Sequence, residues 1–210
     1  MTTLLRIDSS PFDGATSFSR RLTTEFVEQW RETHPGGKVI GRDLITTKLP
    51  PVSAEWIGAS YTPAASLSPR QREVLAISDE LIAELDAADE YVFGVSMHNF
   101  SIPAVLKLWI DEIVRMGRTF TYENGAPRGL LGGKTATFLV ASGGVYDQGT
   151  PMAAMNFVEP YLRSIFGFLG VIDPLFINAG GTARLQYGVE RETILQPAVA
   201  SIHARLPQAA

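Results

Sequence analysis

Cysteine is absent from the 210 residues, which excludes disulfides, iron-sulfur clusters and thiol nucleophiles and leaves nothing to lose in a reducing compartment. A cytoplasmic location is expected on that ground. No apolar run reaches the roughly 18 residues of a membrane span, and the most tempting segment, "IFGFLGVIDPLFINAGG", is broken by Asp173, Pro174 and several glycines. The amino terminus, "MTTLLRIDSS", turns polar too early for a signal peptide and reads as a first strand. Basic residues are scattered through a chain of net charge -4, so there is no footprint for a phosphate backbone, which argues against nucleic acid. Neither "GxGxxG" nor "GxxxxGK[ST]" occurs, so the usual dinucleotide and nucleoside triphosphate fingerprints are missing.

What is present is enough for a full core: 45% of the residues are hydrophobic, and a chain of this length is expected to form one domain spanning residues 1–210. Apolar runs of strand length ("TLLRI" near 5, "KVIGRDL" near 40, "EYVFGVS" from 90, "KTATFLVAS" from 134, "VIDPLFIN" from 171) alternate with segments of helical period. The helices are expected over about Ser17 to Thr33, Ser68 to Ala88, Pro103 to Met116, Ala153 to Phe166 and Gly188 to Leu206. The second is the best marked: Ser68 caps it, Pro69 fits its first position, and Val74, Ile77, Leu81, Ile82, Leu85 and Ala88 recur at three- and four-residue spacings. The expected fold class is α/β, a doubly wound five-stranded parallel sheet with helices on both faces. The connection from Thr46 to Pro69 carries four prolines, Trp56 and Tyr61, and reads either as a lid or partner-facing arm or as an excursion packed by its own aromatics.

Two loops carry candidate chemistry. After the first strand, "SSPFDGATSFSRRL" offers Ser9, Ser10, Thr16, Ser17 and Ser19 before a helix that can begin at Ser17. Hydroxyls beside the free N–H groups and positive dipole end of a helix make a site for one phosphate, although a serine-rich cap also starts ordinary helices. After the third strand comes "GVSMHNFSIP". One reading takes "GVSMH" for a hydrolase nucleophile elbow with Ser96, Asp173 and His203 as a triad, but a histidine stands where the sharp turn wants its second glycine. The other reading places a flat cofactor there. In a sheet of flavodoxin-like order 2-1-3-4-5 the switch point lies between strands 1 and 3, which makes the two loops neighbours. Asn99 supplies a donor and an acceptor and Phe100 a flat apolar surface. Gly143 and Gly144 in "ASGGVY" admit close backbone approach or form a plain glycine turn.

The block "SMHNFSIPAVLKLWIDEIVRMGRTFTYENGAPRGLLGGKTATFLVASGG", with the run Asp8-Ser9-Ser10-Pro11, "SFS" and "YLRSIFGFLGV", resembles the FMN-dependent NADH:quinone oxidoreductase and azoreductase family along essentially the whole chain. The resemblance implies tightly bound FMN, NADH as co-substrate, and two-electron transfer to quinones and azo compounds by alternating half-reactions. Ser9, Ser17, Phe18 and Ser19 would hold the phosphate and ribityl end, Met97, His98, Asn99 and Phe100 would line the isoalloxazine, and Ser142, Gly143 and Gly144 would approach its far edge. No metal is required and no acid-base residue is expected to be indispensable; His98 is the one histidine placed to stabilise or protonate a reduced product. The resemblance also implies a homodimer with active sites at the subunit boundary, where Phe166 or Phe168 would cover the partner's flavin pocket or else fill the core under the last strand. The chain departs from the family twice, with His98 where tyrosine is usual and Ala141-Ser142 where serine and arginine commonly precede the glycine pair. A different class, an FMN-binding electron carrier of flavodoxin type, would favour a concentrated acidic face, whereas the acidic residues here are interspersed with arginines.

Overall fold

The structure is a computed structural model and describes residues 1–206; the last four positions of the expected domain lie outside the described residues. Five strands form one parallel sheet: β1 (Thr3–Asp8), β2 (Lys38–Asp43), β3 (Glu90–Ser96), β6 (Thr135–Ala141) and β7 (Leu175–Ala179), in the order β2-β1-β3-β6-β7. Counted among the sheet strands alone, this is the expected order 2-1-3-4-5. Between β3 and β6 the chain adds a feature not anticipated above, an antiparallel hairpin of β4 (Phe120–Glu123) and β5 (Ala126–Gly129) outside the main sheet. Its turn is Asn124-Gly125, both with positive φ, the dipeptide that most favours a two-residue hairpin loop.

Strand β3 is central, and its run from Tyr91 to Val95 is continuously buried, the pattern of a core strand in a parallel sheet. Side-chain alternation divides the core in two. Leu5, Ile7, Tyr91, Phe93, Phe138 and Val140 pack with α3 (Pro69–Ala87), α4 (Ala104–Ile113) and α5 (Val158–Leu169). Leu4, Val92, Leu139 and Ile177 pack with α1 (Phe18–Thr33) and α6 (Arg191–Arg205).

Helix starts follow side-chain chemistry. Ser68 and Gln71 make a reciprocal capping box with Pro69 at the first turn of α3. Leu75 and Ser78, missed by the expected stripe, are fully buried there. Pro103 stands at the cap of α4, one residue outside the helix it was expected to begin. Helix α5 starts later than expected: Ala153–Met155 is a separate single turn, and the Asn156 carboxamide oxygen accepts from the N–H groups of Val158 and Glu159 at 3.1 and 3.2 Å, which fixes the start at Val158. Likewise α6 begins at Arg191, because Gly188 at φ 80° closes a preceding short helical turn over Thr182–Tyr187.

Phe166 is fully buried at the centre of an aromatic cluster, 5.1 Å from the Phe93 ring and 5.0 Å from Phe138, both edge to face. It therefore fills the core and does not cover any neighbouring pocket. Phe168 tilts against Phe120 of the hairpin at 4.8 Å. The long connection after β2 is built rather than loose. It carries α2 (Ala54–Ser60), capped by Ser53, and Trp56 packs on Ala59 and Leu75 while Tyr61 stays exposed.

The Trp56 indole N–H donates to Glu112 Oε2 at 2.7 Å, and Glu112 is fully buried with Oε1 unpartnered. Burial lifts its carboxyl above the ordinary carboxylate value, opposed by the Trp56 hydrogen bond and by Arg115.

Phe166→Ala is expected to cost about 3–5 kcal/mol in denaturant unfolding, the scale of a buried aromatic truncation. The raised Glu112 pKa makes a second prediction. The folded state holds this proton more tightly than the unfolded chain, so its contribution to stability falls as pH rises from the ordinary carboxylate value through the folded one. Glu112→Gln removes that slope, and the unfolding free energy of the variant relative to the parent is expected to grow across this window.

Candidate active site

The carboxyl ends of β1, β3 and β6 lie side by side, with Asp8 opposite Gly94 and Ser96 opposite Ala141. The loop leaving β1 is stitched to β3 at once: Ser9 donates its N–H at 3.1 Å and its hydroxyl at 2.7 Å to the Gly94 carbonyl. Ser9 is thus committed to the scaffold. Gly94 leaves no room for a side chain, since a Cβ there would stand 2.7 Å from Asp8 Oδ1 and 3.0 Å from Thr23 Cγ2. Those two groups are bonded to each other, Thr23 Oγ1 donating to Asp8 Oδ1 at 2.7 Å beneath the start of α1.

The chain then curls into α1. The Asp13 carboxylate accepts from the N–H and hydroxyl of Thr16, which hold its pKa below the usual range, and the Asp13 carbonyl takes the Ser17 N–H. Ser17 caps the helix by accepting from the Arg20 N–H at 3.2 Å. The N–H groups of Phe18 and Ser19, the first two helical residues, have no acceptor within the helix. Behind them the hydroxyls of Ser17, Ser19 and Ser96 form a chain with 3.3 Å between neighbours. Arg191 braces the same turn, donating to the Thr16 carbonyl at 2.8 Å and lying 4.3 Å over the Phe18 ring.

The loop after β3 is a two-residue turn. His98 and Ser101 exchange both backbone hydrogen bonds, at 2.9 and 3.0 Å, and the residues between them, Asn99 and Phe100, have φ of 48° and 70°. Two successive left-handed residues are what a type I′ turn demands; asparagine adopts the conformation readily, but phenylalanine there stores on the order of 1–3 kcal/mol. His98 and Asn99 are exposed and Phe100 is half-buried, meeting Tyr146 edge to face at 6.1 Å. The loop after β6 is tied to the one after β7: Thr182 and Ala183 donate to the carbonyls of Ser142 and Gly143, and Gly181 to that of Gly144. A side chain at Gly143 would meet only the Ala183 methyl, at 3.9 Å, whereas one at Gly144 would press on the Tyr146 ring at 3.0 Å.

These loops enclose a cavity of about 340 Å³, within the range of about 300–1,000 Å³ common for small-molecule sites. Of the expected site residues, Ser17, Phe18, Met97, His98, Ser142 and Gly143 line it. Ser9, Ser19, Asn99, Phe100 and Gly144 surround that wall without being part of it. Ser10 and Thr16, read above as hydroxyls of the first loop, do line the cavity, as do Phe12, Ser96 and Ala141. Thr182 and Leu185 complete it and were missed. The signal for them was Gly180-Gly181 after the last strand, since β7 neighbours β6 and ends at the same edge.

The hydrolase triad does not assemble. Ser96 lies at the carboxyl end of β3, Asp173 precedes the amino end of β7, and His203 Nε2 pairs with Glu25 at 2.8 Å between α6 and α1. Among the described residues no group of three or more histidine, aspartate or glutamate side chains is arranged to hold a metal ion, and no helix is long and apolar enough to cross a membrane.

A hydroxyl-lined helix start, a left-handed turn and an open glycine thus meet at the carboxyl edge of a parallel α/β sheet, the edge at which such folds bind ligands. The family model described as "Flavodoxin-like fold" matches residues 2–206, and the chain belongs to that family. It is 57% identical over 198 residues to the FMN-dependent NADH:quinone oxidoreductase of Acidobacterium capsulatum, covering 94% of this chain and 95% of that one. Its structure is similar to that of an azoreductase from Bacillus anthracis strain Sterne, with a TM-score of 0.88 at 28% identity and full coverage of both chains. It is also similar to an FMN-dependent NADH-azoreductase from Bacillus anthracis strain Ames Ancestor in complex with FMN, with a TM-score of 0.86 at 25% identity and 98% coverage of each.

Gly94→Ala is expected to destabilise the fold by about 1–3 kcal/mol in denaturant unfolding, because the methyl must displace Asp8 or Thr23 in a packed interior.

Proposed function

We propose that this protein is an FMN-dependent NADH:quinone oxidoreductase and azoreductase, one domain working as a homodimer in the cytoplasm, with α1 and α6 on one face of the sheet and α3, α4 and α5 on the other. The observation that carries the reading is the cavity at the ends of β1, β3 and β6, whose two halves suit the two ends of one ligand. The resemblance to the named quinone oxidoreductase at 57% identity and to the azoreductase solved with FMN supports the choice of ligand.

The residues present fit the group. The Ser17 hydroxyl and the unpaired N–H groups of Phe18 and Ser19 suit a single phosphate, and the missing dinucleotide fingerprint disfavours a pyrophosphate. Met97 and His98 in the wall, with Asn99 and Phe100 of the adjoining turn, would offer apolar surface and amide hydrogen bonds to a ring edge, and Gly143 leaves space for its approach. Bound there, FMN supplies the two-electron chemistry between a reduced nicotinamide and an acceptor. The turn would hold the ring, and the mouth lined by Phe12 and Leu185, both substantially exposed, would admit flat substrates in turn. His98 stands on the rim, placed to hydrogen-bond a reduced product while solvent supplies protons.

A homodimer is supported by exposed apolar side chains beside the site, Val145, Met152 and Phe157, the last tied to the site loop through its N–H bond to the Phe100 carbonyl at 3.0 Å. The electron-carrier alternative is disfavoured because acidic groups are paired on the surface with Arg42, Arg70, Arg118 and Arg163 rather than gathered on one face.

Titration of apoprotein with FMN and FAD, followed by NADH consumption with a quinone and with an azo dye, tests the proposal. Tight FMN binding, weak FAD binding and steady turnover with either acceptor are expected. Equal affinity for FAD, or reduction without turnover, would remove it. Asn99→Gly preserves the left-handed turn while deleting the amide. It is expected to leave unfolding stability within about 0.5 kcal/mol and to weaken FMN binding by about 1–3 kcal/mol, the cost of an unpaired buried polar edge.

A further inference from the structure

The anion-binding half of the cavity has a weak point. Ser10 lines it, and its carbonyl, with two lone pairs, would repel a phosphate if it turned inward. The next residue is Pro11, so that peptide has no N–H with which to anchor itself. Something else must hold the carbonyl away.

Arg20, in the first turn of α1, is the group that does so. Its Nε and Nη2 donate to the Ser10 carbonyl at 3.2 and 2.7 Å. The other side of the same guanidinium makes a two-pronged pair with Asp43 at the end of β2, both distances 2.8 Å. The planar fork thus joins loop, helix and edge strand in one fixed geometry. Its charge is largely answered by Asp43 and by Asp8, 4.0 Å from Nη1, so the ion pair adds little free attraction for an anion. The Arg20 hydrogen bonds lower the Asp43 pKa from its ordinary value, which favours the ionised partner that the clamp uses.

We infer that Arg20 is a positioning residue for the phosphate end of the cofactor: by clamping the Ser10 carbonyl against Asp43 it preorganises the loop after β1, without touching the ligand itself. The inference rests on the proposed FMN site and goes beyond it, because it assigns phosphate selectivity to a side chain outside the cavity wall.

Riboflavin, which shares the ring and ribityl chain of FMN but lacks the phosphate, separates this role from general structural support. Apoprotein of the parent, Arg20→Gln, Arg20→Lys and Asp43→Asn is titrated with FMN and riboflavin by flavin fluorescence. Arg20→Gln is expected to weaken FMN roughly 10- to 100-fold, the scale of lost charge-assisted hydrogen bonds, and to change riboflavin by less than about 3-fold on the same reasoning. Lysine cannot reproduce the fork, so Arg20→Lys is expected to restore little. Asp43→Asn loosens the clamp from behind, leaves Arg20 in place and should lose part of the FMN preference, which keeps the test open if Arg20→Gln does not fold. Unchanged FMN affinity in Arg20→Gln and Asp43→Asn, equal losses for both flavins, or full rescue by lysine would each overturn the clamp. A parent protein with no preference for FMN over riboflavin would instead overturn the functional reading beneath it.

Discussion

The Gly94 carbonyl accepts both hydrogen bonds that Ser9 can donate, and the rest of the site depends on that junction. It extends the contact between β1 and β3 one residue past the end of β1, so the first loop leaves the sheet at a fixed point and angle. A side chain at residue 94 would drive Asp8 and Thr23 apart, and Thr23 belongs to α1. One glycine therefore sets the distance between the central strand and the helix whose start forms half of the cavity. The buried double hydrogen bond is also costly to break, because every group involved would be left without water or partner.

From that junction the two halves of the site are stabilised by different means. The half beside α1 is made of small hydroxyls and backbone N–H groups, braced from outside by Arg20 and Arg191 on the carbonyls of Ser10 and Thr16. Rigidity there comes from hydrogen bonds that point away from the cavity and leave donors facing it. The half beside the β3 loop is made of larger side chains on a strained turn, with Phe100 held left-handed between the His98–Ser101 bonds and the bond from Phe157. Its conformation is over-determined by neighbours, the condition under which such strain persists in folded proteins.

Much of this was legible in the sequence, and the misses share physical causes. The strand runs, the Ser17 and Ser68 caps and the sheet order follow from local patterns that tertiary packing reinforces. Boundaries moved where a side chain acted across a turn, as Asn156 does for α5, since periodicity alone does not register a cap. The hairpin of β4 and β5 escaped although Asn124-Gly125 announces it, because strands of four residues carry too little alternation to stand out. Ser9 and Ser17 look alike in "SSPFDGATSFS", yet one hydroxyl is spent on Gly94 and the other caps α1 at the cavity wall. Type and spacing gave the same reading for both; only the direction of each side chain separates them. Trp56 with Glu112 was hidden for a related reason, a pair 56 positions apart having no local signature.

The division of the site into a braced half and an open rim bears on how acceptors are distinguished. Phe12, His98 and Leu185 sit on three separate segments, the loop after β1, the turn after β3 and the short helical turn after β7, and all three are exposed where they line the cavity. None of them makes a side-chain hydrogen bond within the protein, so each can change without disturbing the junction at Gly94 or the start of α1. Asp8, Thr23 and Arg20 are linked to one another, Thr23 bonding to Asp8 and Arg20 lying 4.0 Å from it, and no side-chain hydrogen bond joins the three rim residues to this group. On the proposed reading, binding of the phosphate end and acceptor preference are therefore carried by separate sets of side chains. The unusual His98 belongs to the second set, since imidazole at the rim sets the size and hydrogen bonding met there while leaving the groups at the phosphate end where they are.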